Sequence, residues 1–316
     1  MSVLVLGMHR SGTSALAGCL AQLGLHPGHG RLLPPHESNP KGFWEQEDLM
    51  RFNERLLRAL GGRWWIPPRM PPLTDRPLRK AAHFLPEAEA LLRRTFRTAP
   101  WLWKDPRLCL LLWFWRPLIE DACVTVFVYR NPLEVWRSLE RRDGFPPREA
   151  FLLWELYNLS ALWHAATLPC VVVGYEELID TPEATVDRVA LALLDFGVEL
   201  AATLEPPRFL ERSLRHWRAA EGEFERHPDA TRSQQTLYAA LRDLDHAYES
   251  LPLNAHWAAQ LEECLERLEQ STEPRWVWEL LKRRRRWTVP WYTVVLETRR
   301  RLFGPTGASG ATRASG

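Results

Sequence analysis

The chain has 316 residues, of which 46% are hydrophobic and 25% charged, and its net charge is +2. A chain of this length buries a full core, either as one large α/β domain or as a domain with a helical extension. The small net charge argues against a general nucleic-acid binder, which needs a strongly basic face, but it permits a local basic pocket for a small anion.

The five cysteines and the N-terminus bear on the cell compartment. The cysteine number is odd, no CxxC motif occurs, and most cysteines lie in apolar runs, so we expect buried, reduced thiols in a cytosolic protein. Met1 and Ser2 lead straight into an apolar strand, and no apolar run reaches about 18 residues. We therefore expect no signal peptide, no membrane span and a cytoplasmic location.

The first residues have the pattern of a strand, a loop and a helix. The apolar run 3–6 predicts a buried strand of a parallel sheet. A glycine-bounded loop follows at 7–12, and Leu16, Leu20 and Leu23 have the spacing of one helix face. This arrangement cradles phosphate, because the N–H groups of the loop and the positive end of the helix face the anion.

The same loop lacks a residue that nucleotide triphosphatases need. Its glycines have the spacing of G-x-x-x-x-G-K-[ST], but Thr13 occupies the lysine position. Kinases use that lysine on the β- and γ-phosphates, so its absence argues against γ-phosphoryl transfer. An arginine, Arg10, lies inside the loop instead.

Farther along the chain, apolar β-branched runs alternate with helical patterns, which predicts a parallel sheet flanked by helices. Beyond about residue 205 the strand signals stop, so we expect a helical C-terminal extension. The predicted strands are 101–103, 123–129 and 170–173, and the predicted helices are 44–60, 76–98, 107–116, 147–166, 234–249 and 255–270.

Two motifs carry a family resemblance: G-M-H-R-S-G-T-S at 7–14 and R-N-P at 130–132. The chain resembles the bacterial sulfotransferases that use 3′-phosphoadenosine 5′-phosphosulfate (PAPS), which are related to carbohydrate and tyrosylprotein sulfotransferases. The resemblance covers residues 2 to about 195 and implies a sulfotransferase fold like that of P-loop NTPases. The residues that it assigns to PAPS are His9, Arg10, Ser11, Gly12, Thr13, Ser14, Arg130 and Ser138.

The resemblance places Arg130 and Ser138 on the 3′-phosphate of PAPS. A dianionic phosphate suits a planar fork of donors together with a hydroxyl. The other interpretation is that Arg130 forms a structural ion pair and that Ser138 is a solvated helix residue.

Lys104 follows the predicted strand 101–103, at the end where α/β folds place ligands. The segment 103–107, W-K-D-P-R, resembles a segment of tyrosylprotein sulfotransferases whose lysine contacts the sulfuryl group or the bridging oxygen. A cation is needed there because negative charge builds on the leaving phosphate. Alternatively, Lys104 is a surface lysine and Asp105 caps the next helix.

The catalytic base is open between two residues. The acceptor hydroxyl loses its proton as it attacks sulfur, so a base must lie within hydrogen-bond reach. Glu45 is the first choice and His36 the second, both by resemblance to sulfotransferase bases; otherwise Glu45 favours a helix dipole and His36 is a loop residue. The predicted catalytic residues are thus Glu45, Lys104, Arg10 and His36.

The resemblance implies no metal, because arginine, lysine and the helix dipole supply the positive charge, and His26, His29 and His36 fit no zinc spacing. Trp64 and Trp65 form either a stacking wall for a sugar or aromatic acceptor or the packing of a proline-rich loop. We expect a carbohydrate or glycolipid acceptor.

The predicted organisation is a PAPS-binding core at 1–200, a helical region at 201–303 and a disordered tail at 304–316. Two basic runs, 282–286 and 299–301, flank the aromatic residues Trp287, Trp291 and Tyr292. This pattern at 282–301 suits peripheral contact with an anionic inner-membrane surface or with acidic glycans, or else a solvated helix. Two other functions stay open: a catalytically silent module that binds 3′,5′-bisphosphonucleotides, and a nucleotide kinase with a degenerate phosphate loop.

Overall fold

The structure is a computed structural model that describes residues 1–37, 39–68, 76–119, 122–201, 210, 215, 217–244, 246–251 and 255–271. The predictions for the basic and aromatic segment 282–301 and for the tail 304–316 lie outside the described residues.

A five-stranded sheet forms the centre of the fold, in the order β2-β1-β3-β4-β5. β1 pairs in parallel with β2 on one side and β3 on the other, β3 pairs in parallel with β4, and β5 is antiparallel to β4. The carboxyl ends of β1, β2 and β3 therefore meet at one edge of the sheet. The strands are β1 (Ser2–Leu6), β2 (Trp101–Lys104), β3 (Cys123–Tyr129), β4 (Cys170–Gly174) and β5 (Ala247–Tyr248).

Helices cover both faces of this sheet, which confirms the predicted α/β class. Between the strands lie short 3₁₀ turns at Ala82–Phe84 and Arg116–Leu118. The α-helices are α1 (Thr13–Gln22), α2 (Glu47–Ala59), α3 (Arg76–Ala81), α4 (Leu85–Thr95), α5 (Leu108–Trp115), α6 (Pro132–Asp143), α7 (Pro147–Ala165), α8 (Tyr175–Asp180), α9 (Pro182–Asp195), α10 (Arg232–Asp243) and α11 (Ala255–Ser271).

Two predicted helices in the first hundred residues have different boundaries in the structure. The helix expected from residue 44 begins at Glu47, because Trp44 has a φ of 58°, a left-handed conformation that a right-handed helix excludes. The helix expected over 76–98 is divided into α3 and α4. Pro86 lies in the first turn of α4, where its missing N–H costs nothing, but it cannot continue the hydrogen bonds of α3.

The core is divided by the sheet into two layers. On one face, β1 and β3 side chains such as Val5 and Val126 pack with Leu20 of α1 and Val189 of α9. On the other face α7 is the central helix and packs against α5, α6 and α11. The five cysteines are all buried and unbridged, as predicted: Cys19, Cys109, Cys123, Cys170 and Cys264. Among the tryptophans, Trp113, Trp115 and Trp154 are buried in this core, and Trp163 is half-buried.

The prediction that strands end near residue 205 is wrong, because β5 adds an edge strand from the C-terminal region. β5 is only two residues long and partly exposed, which is too short to leave a pattern in the sequence. The helix predicted over 234–249 ends at Asp243, because β5 takes up Ala247 and Tyr248 of that range. Trp257 and Leu261 of α11 join the main core, and the division at residue 200 stays a prediction.

Within the part of the chain that the structure describes, no helix combines the length and the apolar composition that a membrane crossing requires.

Candidate functional site

A cavity of about 830 Å³ opens at the carboxyl edge of β1, β2 and β3. Residues that follow each of these strands line it. Ser11, in the loop after β1, is not among them, since its side chain is fully buried. The predicted site residues that line the cavity are His9, Arg10, Gly12, Thr13, Ser14, His36, Glu45, Lys104, Arg130 and Ser138.

The loop after β1 depends on glycine at both of its ends. A Cβ atom on Gly7 would lie 2.4 Å from the Val128 carbonyl oxygen, and one on Gly12 would lie 2.1 Å from the Tyr175 ring. Gly12 also has a φ of 91°, in the left-handed region that favours glycine. α1 begins at the next residue, and its N-cap residue, Gly12, has no side chain that could cap the helix. The positive end of this helix therefore faces the cavity.

Arg10 connects the loop to α6. Its φ of 69° is left-handed, a conformation that strains a residue with a side chain. Its Nε donates a hydrogen bond to the Ser138 hydroxyl at 2.7 Å. Burial, together with the nearby Arg142 and Arg130, lowers the pKa of Arg10 to about 10. A cation crowded by other cations is typical of a site that accepts an anion.

Arg130, at the end of β3, is held on several sides. Its Nε and Nη2 lie 3.0 and 2.9 Å from one carboxylate oxygen of Glu134, and its Nη1 donates to the Arg10 carbonyl at 3.1 Å. The guanidinium lies over the Tyr175 ring, 4.3 Å from its centroid. Arg130 therefore makes the ion pair of the alternative interpretation and also lines the cavity.

Lys104 is buried, with 2% of its side chain exposed, so the surface alternative is wrong. Its ammonium donates to Glu45 Oε1 at 2.6 Å, to the Phe43 carbonyl at 3.0 Å and to the Ser14 hydroxyl at 3.2 Å. Asn39 donates to the same hydroxyl at 3.1 Å. These contacts bring the Lys104 ammonium, at the end of β2, to the first turn of α1. It lies there beside Thr13, the position at which a kinase loop has its lysine.

The two candidate bases occupy different depths. Glu45 is 5% exposed, and its second oxygen accepts from Arg107 Nη1 at 3.3 Å. His36 is exposed at the rim, where its backbone pairs with that of Asn39. The structure brings Glu45, and not His36, against Lys104.

Arg107 belongs to the site, although the sequence assigned it no role. Its Nε donates to Glu54 at 2.6 Å, and its Nη1 donates to Asp105 at 2.9 Å as well as to Glu45. Its place in the segment W-K-D-P-R, three residues after Lys104, was the signal that could have found it. Glu54 lies on α2, far from Arg107 in the sequence, and nothing in the sequence around it indicated a place in the site.

His9 is a neutral residue of this cavity. Its ring lies 4.5 Å from the ring of Trp64 and 5.6 Å from that of Tyr157. Burial, and then the charges of Arg107 and Arg142, lower the pKa of His9 well below its usual value. His9 therefore contributes no positive charge at neutral pH.

Of the two tryptophans proposed as a stacking wall, Trp64 lines the cavity and Trp65 is not among the lining residues. Trp65 packs edge-on against Trp64, at 5.4 Å between the ring centroids, and lies under Arg63. The guanidinium of Arg142 lies 5.3 Å from the Trp64 ring. Both rings also pack against the core, so Trp65 fits the packing alternative, and stacking on an acceptor stays a prediction for Trp64.

Among the residues that the structure describes, no group of three or more His, Cys, Asp or Glu side chains has the arrangement of a metal site. His26 and His29, two of the three histidines considered in the sequence, lie ring to ring at 4.5 Å on the far side of β2, and His26 pairs through its backbone with Trp101.

Two solved structures are similar to this chain. The sulfotransferase domain from the Synechococcus PCC 7002 olefin synthase is 17% identical, with a TM-score of 0.40, over 87% of this chain and 96% of that one. The sulfotransferase domain from the curacin biosynthetic pathway is 16% identical, with a TM-score of 0.39, over 84% and 96%.

No family model matches the chain, and no curated protein matches it.

Proposed function

We propose that this protein is a PAPS-dependent sulfotransferase, which moves a sulfuryl group from PAPS to an acceptor hydroxyl. One observation carries the proposal. The phosphate loop, the buried Lys104 and the pair of Arg130 and Ser138 follow three adjacent strands and line one cavity, and Arg10 joins the loop to Ser138 at 2.7 Å.

The residues present fit the anionic groups of PAPS. The loop and the start of α1 would hold the 5′-phosphosulfate, with Arg10 as the cation of the loop. Arg130 and Ser138 would hold the 3′-phosphate, because a guanidinium fork and a hydroxyl match its oxygens. We call this side of the cavity, with Arg10, Arg130, Ser138 and Tyr175, the nucleotide end.

The other side, with Glu45, Lys104, Arg107 and Trp64, is called the acceptor end. The reaction forms a bond between the acceptor oxygen and sulfur and breaks the bond between sulfur and the 5′-phosphate oxygen. Lys104 would stabilise the charge that develops on that leaving oxygen. The ammonium already lies at the first turn of α1, where the phosphosulfate would bind.

Glu45 is the proposed base. It lines the cavity and lies 2.6 Å from Lys104, so an acceptor hydroxyl beside the sulfuryl group comes within its reach. Each carboxylate oxygen accepts more than one hydrogen bond, so Glu45 can accept the hydrogen bond of the acceptor hydroxyl while both cations are in place. When it takes the proton it becomes a neutral carboxyl, which keeps hydrogen bonds to Lys104 and Arg107 in place of the ion pairs. His36 at the rim is the second choice.

The proposed acceptor is a carbohydrate or glycolipid hydroxyl, for which Trp64 supplies one flat face. A cytoplasmic location, independence of metal and contact with an anionic membrane through 282–301 remain predictions. The kinase alternative still lacks a lysine at Thr13.

A turnover assay tests the proposal. The protein is incubated with PAPS and a panel of phenols, sugars and glycolipids, and the release of adenosine 3′,5′-bisphosphate is followed by chromatography. We expect release that depends on one class of acceptor and is lost in Lys104→Met but kept in Lys80→Ala, whose lysine is exposed. PAPS binding without turnover on any acceptor would favour the silent binding module instead.

A further inference from the structure

Glu134 is a buried acid that the proposed reaction does not use. It lies in the first turn of α6, and only 1% of it is exposed. We propose that Glu134 is a positioning residue, which orients Arg130 toward a 3′-phosphate and fixes the segment of residues 215 and 217–220 beside the nucleotide end. This inference rests on the proposed function and extends it.

First, Glu134 fixes the guanidinium of Arg130. One oxygen of the Glu134 carboxylate accepts from both Nε at 3.0 Å and Nη2 at 2.9 Å, and the Arg10 carbonyl accepts from Nη1. The Tyr175 ring fixes the plane of the guanidinium from one face. The remaining N–H donors of Arg130 are left for a ligand in the cavity, in one orientation. A preorganised arginine loses less side-chain entropy when a phosphate binds.

The second step concerns charge, because a carboxylate beside a phosphate-binding arginine would cancel its attraction. Arg215 offsets this effect. Its Nη2 lies 2.6 Å from the other oxygen of Glu134, and its Nε lies 3.2 Å from the oxygen that Arg130 uses. Two guanidinium groups thus share the Glu134 carboxylate. Arg215 also lies 3.2 Å from one oxygen of Asp180, whose other oxygen lies 3.0 Å from Arg218. Three arginines therefore face two acids, and this cluster keeps a positive charge beside the cavity.

The third step is the chain segment that carries Arg215. The backbone N–H of Ala219 also donates to Glu134, at 3.2 Å. Trp217, between these two contacts, lines the cavity. One carboxylate therefore sets the position of both the arginine and this part of the cavity wall.

A merely structural role for Glu134 is the competing explanation, and ligand preference separates the two. Adenosine 3′,5′-bisphosphate and adenosine 5′-monophosphate differ only in the 3′-phosphate. A loosened fold weakens the binding of both nucleotides alike, whereas a misoriented Arg130 weakens the binding of the bisphosphate selectively. Simple electrostatics predicts the opposite sign, because removal of a negative charge strengthens the binding of a dianion.

The experiment measures the dissociation constants of both nucleotides by calorimetry, together with the thermal unfolding midpoint, for the full chain and for Glu134→Gln. We expect the preference for the bisphosphate to fall about tenfold, the size of one charged hydrogen bond. Glu140→Gln is the matched control. It removes the same charge from an exposed position of the same helix, and the preference should not change.

A preference in Glu134→Gln that equals or exceeds that of the wild type would overturn the inference. If that variant does not fold, Arg215→Gln decides: loss of the offsetting cation should also lower the preference, while Arg226→Gln, at an exposed arginine outside this ion-pair cluster, should not. Full preference in Arg215→Gln would contradict the inference. A wild type without any preference would instead contradict the proposed function.

Discussion

At the nucleotide end of the cavity, the three arginines Arg130, Arg215 and Arg218 face two acids, Glu134 and Asp180. At the acceptor end, the two cations Lys104 and Arg107 face three acids, Glu45, Glu54 and Asp105. The first arrangement leaves positive charge for a ligand. In the second arrangement each cation is already paired with acids, so a neutral acceptor can lie beside these groups without leaving a charge unpaired. The comparison suggests that one end serves anion binding and the other serves proton and charge movement.

The largest expected effect is at the acceptor end. Lys104→Met should lower turnover by about a thousandfold, because the charge on the leaving oxygen loses its stabilising cation. Binding of adenosine 3′,5′-bisphosphate, measured by calorimetry, should weaken much less, by about tenfold, since Lys104 would supply only one charged hydrogen bond among the several donors around its 5′-phosphate. Equal losses in both measurements would erase the distinction between the two ends.

The choice of base is the next effect. Glu45→Gln should lower kcat by about a hundredfold or more, the usual contribution of a general base. His36→Gln should have a smaller effect, because His36 lies exposed at the rim. Steady-state kinetics with a saturating acceptor measures both variants, and the reverse order would make His36 the base.

Two glycines with nearly the same φ test whether the loop needs the close approach of Gly12 to Tyr175. Gly12 has a φ of 91° and Gly61 a φ of 93°, but a Cβ meets the Tyr175 ring at Gly12 and nothing within 4 Å at Gly61. Gly12→Ala should therefore cost about 1–3 kcal/mol more than Gly61→Ala in the free energy of unfolding. Urea denaturation measures the difference, and bisphosphate binding should weaken in Gly12→Ala alone. Equal costs would mean that the loop does not need this close approach.

The smallest expected effect is the pH dependence that His9 introduces. Burial and the surrounding arginines lower its pKa in the folded protein, so the unfolded chain binds a proton that the folded chain refuses. Stability should therefore fall as the pH drops below about 6.5, the ordinary histidine value, with a slope of up to about 1.4 kcal/mol per pH unit from this residue. In His9→Asn this part of the slope should disappear.

Denaturant unfolding at several pH values between about 6.5 and 5 measures that slope. His83→Asn is the control, because His83 is exposed. A slope that is the same in wild type and His9→Asn would mean that His9 takes up its proton in the folded state.

The nucleotide end was more predictable from sequence than the acceptor end. Gly7, Arg10 and Arg130 follow apolar strands directly, so strand patterns and local spacing were enough to bring them to one edge of the sheet. The contact between Arg10 and Ser138 was not foreseen, although both residues had been assigned to the same ligand.

At the acceptor end, the pairing of Glu45 with Lys104 joins segments 59 residues apart, and no local pattern encodes it. For this reason the sequence left Glu45 and His36 open. The roles of Arg107, Glu134 and Arg215 were missed because each depends on packing between distant elements. The edge strand β5 was missed because two residues carry too little periodicity.

Calorimetric titration of the full chain with adenosine 3′,5′-bisphosphate, and separately with ATP and Mg²⁺, tests the central claim most directly. We expect binding of the bisphosphate that is lost in Arg130→Ala and kept in Arg137→Ala, whose side chain lies on the following helix α6 and is 42% exposed. Binding of ATP with Mg²⁺ alone, unaffected by Arg130→Ala, would contradict the account and return the loop to the kinase interpretation.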